Sequence, residues 1–275
     1  MPHFNTDDGT SLYYRDWGKG RPVIFVSSWA LGGDMWEYQM LALSNQNLRC
    51  IAYDRRGHGR SDDPGHGFDP DTLANDLDSL IRHLDLSDVV LVGHSMGCAE
   101  IARYLSNYGA GRITKTVLVS PIRLVRKPED PEEMFTAGYR QGVGRLMTDR
   151  ARYMAEGVIK FFGIGSEWPA SPKISPELVQ WCLQLISQPS LKAIVDCWEY
   201  VMWAADFGDD LKAFTMATLI IHGDADHSAP LPLCGLRLAE AIPGSDLKVY
   251  EGAPHGLFLT EMDRLSRDLC EFVSD

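Results

Sequence analysis

A serine between two glycines is the first candidate for chemistry in this 275-residue chain. The pentapeptide GHSMG at 93–97 ends an apolar run and opens a segment with a helical pattern. A strand that turns sharply into a helix holds the central residue in a strained backbone conformation with its side chain exposed, and small flanking residues relieve the crowding. We therefore expect Ser95 to be a nucleophile at the end of a strand.

A serine hydroxyl is a weak nucleophile at neutral pH unless an imidazole accepts its proton and a carboxylate orients that imidazole. His255, between Pro254 and Gly256 after a predicted strand, is the expected base. Another predicted strand ends in IHGDADH at 221–227, where open α/β sheets carry functional loops. That segment offers Asp224 and Asp226, and the residues alone leave both as candidates for the acid.

Negative charge on an attacked carbonyl needs backbone amide donors. These usually come from the residue after the nucleophile and from the loop that follows an early strand of the sheet. In this chain those residues are Met96 and Trp29, which follow Ser95 and the VIFVS strand. We expect their amides to form an oxyanion hole.

Further histidines lie within or beside the motifs. His58 lies in a tight turn of DRRGHGRS, where we expect a structural or exposed side chain. His94, His222 and His227 adjoin the motif residues, but no third ligand follows at a suitable spacing. We expect no metal site.

Strands and helices that alternate along the chain must position these groups. Runs rich in β-branched and aromatic residues predict strands at 11–17, 23–27, 48–54, 89–93, 113–120, 218–223 and 247–252. Apolar residues at helical spacing predict helices at 35–43, 71–84, 95–108, 231–242 and 259–273. This alternation predicts an α/β fold with a mostly parallel, doubly wound sheet.

The alternation stops between 123 and 210, where the chain becomes helical, aromatic and interrupted by prolines. We interpret this segment as a helical cap inserted into a catalytic domain built from 1–122 and 211–275. Its large aromatic side chains could cover a small hydrophobic substrate; they are Phe135, Phe161, Phe162, Trp168, Trp181, Trp198 and Trp203. Most should form the core of the cap. The residues predicted to line the pocket are Phe135, Phe162, Trp198 and Trp203.

Composition excludes several classes of partner. The chain has 38 acidic and 26 basic residues, and its formal charge of -12 would repel a phosphate backbone. No run approaches the roughly 18 to 20 apolar residues that span a bilayer, and no secretory signal pattern opens the chain. The six cysteines form no C-x-x-C pair. These features predict a soluble cytoplasmic protein without a nucleic acid or membrane partner.

The motifs together resemble bacterial aryl esterases of the α/β-hydrolase fold and the cofactor-free haloperoxidase or perhydrolase group. The matching segments are WxLxxDMWEYQM at 29–40, DRRGHGRS at 54–61, LIRHLDLSDVVLVGHSMG at 80–97, ARY at 102–104, IIHGDAD at 220–226 and APHG at 253–256. The resemblance implies that the acid is the second aspartate, Asp226, and that Asp224 has a turn or hydrogen-bonding role. It also implies that no metal or organic cofactor takes part.

Two positions depart from the pattern of that group. Relatives commonly carry His-Gly where this chain has Ser27 and Ser28, which changes the loop before Trp29. The haloperoxidase-like members often follow the tryptophan with proline, whereas Ala30 stands here and weakens any prediction of efficient perhydrolysis. The serine at 95 argues against dehalogenase and epoxide hydrolase chemistry, which would need an aspartate.

The sequence therefore predicts a serine hydrolase that cleaves small carboxylic esters through an acyl-enzyme. The same groups could instead act on lactones, amides or lactams, cleave a carbon–carbon bond of a diketone, or carry out perhydrolysis. A third class of function is a slow-turnover receptor for a small molecule on the hydrolase scaffold. Oligomers are common among such esterases, so a homo-oligomer is among the expected partners, although the sequence identifies no interface.

Overall fold

The computed structural model describes residues 2–164 and 174–274. Its strands are β1 (His3–Asn5), β2 (Ser11–Gly18), β3 (Arg21–Val26), β4 (Leu48–Tyr53), β5 (Val89–His94), β6 (Ile113–Val119), β7 (Ala217–Gly223) and β8 (Asp246–Tyr250). They form one sheet in the order β1-β2-β4-β3-β5-β6-β7-β8. The pairs β1–β2 and β2–β4 are antiparallel, and every pair from β4 to β8 is parallel.

Helices flank this sheet and confirm the predicted α/β class. They are α1 (Glu37–Ser44), α2 (Pro70–His83), α3 (Met96–Tyr108), α4 (Glu132–Thr148), α5 (Arg150–Phe161), α6 (Pro176–Ile186), α7 (Leu191–Cys197), α8 (Gly235–Ala241), α9 (Leu257–Thr260) and α10 (Met262–Ser274). A 3₁₀ turn at Gly33–Trp36 precedes α1. Two more short turns follow α7: a π-helical turn at Trp198–Ala204 and a 3₁₀ turn at Asp210–Ala213. In the described ranges no helix is long and apolar enough to cross a membrane.

Two apolar layers form because successive side chains of a buried parallel strand point to opposite faces. Along β3, Val23 and Phe25 join the layer under α1 and α10, whereas Ile24 and Val26 join the layer under α2 and α3. All six residues of β5 are buried. The central strands are thus packed against helices on both faces, and their ends fix where the following loops begin.

Between β6 and β7 the described chain contains helices and loops but no strand. This segment contains α4 to α7 and the two short turns, and it covers the carboxyl ends of the central strands. The division into a catalytic domain at 1–122 and 211–275 and a cap at 123–210 stays a prediction.

The predicted elements differ from the structure mainly at their ends. β1 was not expected, because three residues are too few for a strand pattern to emerge. The helix predicted at 35–43 is a 3₁₀ turn followed by α1, and the last helix is divided at Glu261 into α9 and α10.

Candidate active site

Ser95 occupies a strained turn between β5 and α3. Its φ of 54° and ψ of -113° lie in a region that residues with a side chain rarely adopt. A Cβ atom on Gly97 would lie 2.4 Å from the Val26 carbonyl oxygen, and one on Gly93 would lie 2.9 Å from the Gly97 backbone. The two glycines therefore allow the strand and helix to approach closely enough for the turn to form.

A continuous chain of hydrogen bonds, here called the hydrogen-bonded row, joins Ser95, His255 and Asp226. The Ser95 Oγ atom is 2.9 Å from His255 Nε2, and His255 Nδ1 is 2.6 Å from Asp226 Oδ2. All three residues are less than 5% exposed. The structure thus brings together three residues that the sequence placed after β5, β7 and β8, because these parallel strands end at the same edge of the sheet.

The Asp226 carboxylate is held in its ionised form. Burial favours the neutral acid, but the electrostatic interaction with His255 and hydrogen bonds from His222, His255 and the Ala229 amide outweigh burial and keep the Asp226 pKa well below its usual range. Its Oδ1 atom accepts the Ser228 and Ala229 amides at 2.8 Å and 2.7 Å. An ionised carboxylate only accepts, so the His255 proton lies on Nδ1 and Nε2 faces Ser95 with a lone pair.

Two further histidines support the loops that carry this row. His94 Nε2 lies 2.9 Å from the His255 carbonyl oxygen, and His222 Nε2 lies 2.7 Å from the Ala229 carbonyl oxygen. Burial, together with the nearby His255, lowers the His94 pKa to about 3, so His94 stays neutral and donates its Nε2 proton. Within 2–164 and 174–274, no group of three His, Cys, Asp or Glu side chains is arranged to hold a metal ion.

The two aspartates of the H-G-D-A-D segment differ in exposure and in hydrogen-bond partners. Asp224, the first, is exposed, and its Oδ1 atom accepts the Gly252 amide at 2.6 Å. This bond ties the loop after β7 to the loop after β8. Asp224 therefore has the hydrogen-bonding role that the resemblance implied, and Asp226 is the aspartate that contacts His255.

A cavity of about 360 Å³ opens onto Ser95 and His255. One wall comes from the loop at 27–32 that follows β3, here called the 27–32 loop. The opposite wall comes from α5, α6 and the π-helical turn. Most of its surface is apolar, and the main apolar side chains are Met154, Val158, Phe161, Ile186, Trp198 and Met202. Such a cavity suits a small hydrophobic group next to a polar reacting centre.

Of the four side chains predicted to line this cavity, the structure places Trp198 on its wall and leaves the other three elsewhere. Phe135 lies beneath the Arg123 guanidinium, 4.3 Å from it. Trp203 stacks on Tyr139, with ring centroids 5.1 Å apart. Phe162 is buried against other rings: Phe161 and Phe258. Trp168 lies outside the described residues.

Helix α5 supplies pocket residues that were not among the four chosen from the sequence. Met154, Val158 and Phe161 line the cavity and are spaced four and three residues apart, which puts them on one helical face. That spacing is visible in the sequence. The choice of pocket residues followed aromatic density instead, and most aromatic rings of this region pack against each other.

The two candidate oxyanion donors belong to two different elements of the site. Met96 is the first residue of α3, and the first amides of a helix have no acceptor within it. Trp29 belongs to the 27–32 loop and lines the cavity. Its indole Nε1 donates to the Ile194 carbonyl at 2.7 Å, which fixes the loop against α7.

Comparison with known proteins identifies the class. Residues 23–268 match the model of an alpha/beta hydrolase family. The chain is 38% identical over 282 residues to a non-heme chloroperoxidase of Kitasatospora aureofaciens, with all of both chains covered. It is 32% identical to a bifunctional esterase/perhydrolase of Acinetobacter calcoaceticus, covering 99% of each. A bromoperoxidase structure from Bacillus anthracis matches with a TM-score of 0.92 and 34% identity, covering 100% of this chain and 99% of that one.

The chain therefore belongs to the alpha/beta hydrolase family, and it is a hydrolase-family enzyme. The resemblance to the haloperoxidase and perhydrolase group, first seen in short motifs, is confirmed along the whole chain.

Proposed function

We propose that this protein is a serine hydrolase that cleaves small carboxylic esters through an acyl-enzyme. The observation that carries the proposal is the hydrogen-bonded row from Ser95 through His255 to an ionised Asp226, at the end of a largely apolar cavity. A row of this kind supplies a nucleophile, a base and an orienting carboxylate at distances that allow proton transfer.

In the first step His255 Nε2 takes the proton of the Ser95 hydroxyl as its oxygen attacks the ester carbonyl. The ionised Asp226 stabilises the imidazolium that forms. His255 then returns the proton to the leaving alcohol, and the acyl group remains on Ser95. In the second step His255 takes a proton from water as the water oxygen attacks the acyl carbon, and His255 then gives that proton to the Ser95 oxygen as the bond to the acyl group breaks and the acid is released.

The negative oxygen that forms in both steps is stabilised by the Met96 and Trp29 amides. Trp29 lines the cavity and Met96 directly follows Ser95, so the two donors come from separate elements, the 27–32 loop and α3. Donors that are already in place need no rearrangement when the charge develops, and for this reason one such donor is worth about 10² to 10³ in turnover.

Perhydrolysis is the second candidate, because one relative is a bifunctional esterase/perhydrolase. The loop conformation counts against it as the main activity. Ala30 has a φ of 58°, and the proline that often follows this tryptophan in haloperoxidase-like proteins is fixed near -65°. The 27–32 loop must therefore follow a different path from a loop with that proline.

The expected compartment remains the cytoplasm. All six cysteines are free, and five of them are buried, an arrangement that suits a reducing compartment. The proposed partner is the small ester substrate.

The test is the initial rate on p-nitrophenyl esters from acetate to octanoate, with wild type and Ser95→Ala. We expect turnover that Ser95→Ala reduces by about 10⁶. Ser120→Ala is the matched control, because Ser120 is a buried serine with a positive φ of 43° directly after the neighbouring strand β6. Equal rates for wild type and Ser95→Ala would refute the esterase proposal and direct the search to lactones, lactams and ligand binding.

A further inference from the structure

Arg55 is a buried arginine whose donors are directed at the 27–32 loop. The side chain is 2% exposed. Its Nη2 atom donates to the Ser27 carbonyl at 2.8 Å and its Nη1 atom to the Ser28 carbonyl at 3.3 Å. Arg55 belongs to the DRRGHGRS segment, and the mechanism above gives it no part.

The Ser28 carbonyl and the Trp29 amide are two ends of one peptide group. A trans peptide is planar, so its C=O and N–H point in opposite directions. When Arg55 holds the Ser28 oxygen on one side, the Trp29 N–H is directed to the other side, where Trp29 lines the cavity. The Leu31 amide also donates to the Ser28 oxygen at 3.3 Å, within a turn of the same loop.

The other side of the guanidinium is bound to the helix that follows Ser95. Arg55 Nε donates to Glu100 Oε1 at 2.7 Å, and Glu100 is fully buried. Glu100 lies one turn after Met96 in α3, and the Tyr53 hydroxyl occupies its second oxygen at 3.1 Å. Arg55 therefore connects the two elements that carry the candidate oxyanion donors.

We propose that Arg55 is a positioning residue that sets the Trp29 amide for oxyanion stabilisation. This inference rests on the proposed ester hydrolysis. The guanidinium binds two successive carbonyls of the loop and the Glu100 carboxylate, so it fixes the orientation of the Ser28–Trp29 peptide relative to Ser95. A cation on the carbonyl oxygen also polarises the peptide, which makes its N–H a stronger donor.

Lysine cannot replace this arrangement, because one ammonium does not reproduce the planar fork that binds three oxygens at once. Arg55→Lys retains a cation beside Glu100 but should release at least one loop carbonyl. We expect kcat for p-nitrophenyl acetate to fall about 10- to 100-fold, less than the loss of a whole donor, with KM nearly unchanged. The affinity for phenylboronic acid, whose adduct with serine is tetrahedral and anionic, should fall by a similar factor.

Arg56 provides the matched control. It is 1% exposed and binds the buried Asp76 through two contacts of 2.7 Å, yet no contact joins it to the 27–32 loop in the described structure. Arg56→Lys should lower the melting temperature while kcat and boronate affinity stay near wild type. If Arg55→Lys does not fold, Arg55→Met combined with Glu100→Gln removes both buried charges and serves in its place.

A folded Arg55 variant with wild-type kcat and boronate affinity would overturn the inference. Equal losses of kcat in the Arg55 and Arg56 variants would also overturn it, since they would indicate general destabilisation. Failure of the ester proposal itself looks different: wild type would then show no turnover that depends on Ser95.

Discussion

The edge of the sheet and the helical region above it build opposite sides of the same cavity in different ways. At the sheet edge, polar atoms are fixed by specific hydrogen bonds: Asp226 accepts two backbone amides, and His94 holds the carbonyl of His255. In the helical region, the wall is formed by apolar side chains such as Met154 and Trp198 that pack without hydrogen bonds to the row.

This difference predicts that the two sides of the cavity control different properties, the rate and the substrate preference. Hydrogen-bonded groups have narrow geometric tolerance, so a change at the sheet edge should affect the rate for every substrate. Apolar walls tolerate changes in shape, so a change in the helical region should affect which substrate is preferred.

The largest effect in this comparison is expected for Asp226→Asn. Asparagine keeps the two amide contacts but removes the charge that holds the His255 proton on Nδ1, and kcat should fall by about 10⁴ for all esters. Asp224→Asn is the control, because Asp224 is exposed and an amide oxygen can still accept the Gly252 N–H. Similar losses in both variants, measured as kcat on p-nitrophenyl butyrate, would argue against the assignment of the acid.

On the other wall, Trp198→Ala should enlarge the cavity and shift substrate preference. The ratio of kcat/KM for octanoate over butyrate should rise by about tenfold, because each well-packed methylene contributes about 1 to 3 kcal/mol to discrimination. Trp203→Ala serves as control, since Trp203 stacks on Tyr139 away from the cavity. If both variants leave the ratio unchanged, Trp198 does not limit chain length.

The third effect concerns stability and not turnover, at the place where the two regions meet. His58 follows Gly57, whose carbonyl accepts the Ser190 amide at the start of α7. Burial lowers the His58 pKa from 6.5 to about 3, and the charges of Arg55 and Arg150 act in the same direction. In the unfolded chain His58 therefore binds a proton as pH falls through about 6.5, whereas in the folded chain it stays neutral. As a result, His58 lowers the free energy of unfolding as pH falls from 6.5 towards 3.

His58→Gln should lose less stability on acidification than wild type, by up to about 1.4 kcal/mol per pH unit. Urea unfolding at pH 7 and pH 5 measures the difference, with the exposed His66→Gln as control. An identical pH dependence of the free energy of unfolding in wild type and His58→Gln would mean that His58 titrates alike in the folded and unfolded chains.

Much of the fold could be predicted from the sequence because its signals are local. Buried strands such as β5 appear as continuous apolar runs, and the GHSMG turn needs its glycines for reasons that five residues contain. The residues alone left Asp224 and Asp226 as alternatives, and the family resemblance favoured Asp226. In the structure Asp226 contacts His255, because the loop after β7 turns this side chain inward and Asp224 outward.

The pocket and the Arg55 contacts could not be predicted in the same way. Helical spacing could have indicated Met154 and Val158 as one face of α5, but which face covers Ser95 depends on how α5 sits over the sheet. Arg55 contacts Ser28, which is 27 positions away in the sequence, and Glu100, which is 45 positions away. The sequence by itself determined the nucleophile, the base and the succession of strands along the chain, because those depend on local patterns. Only the tertiary structure decided what surrounds them, because side chains far apart in sequence meet only where the packed sheet and helices bring them together.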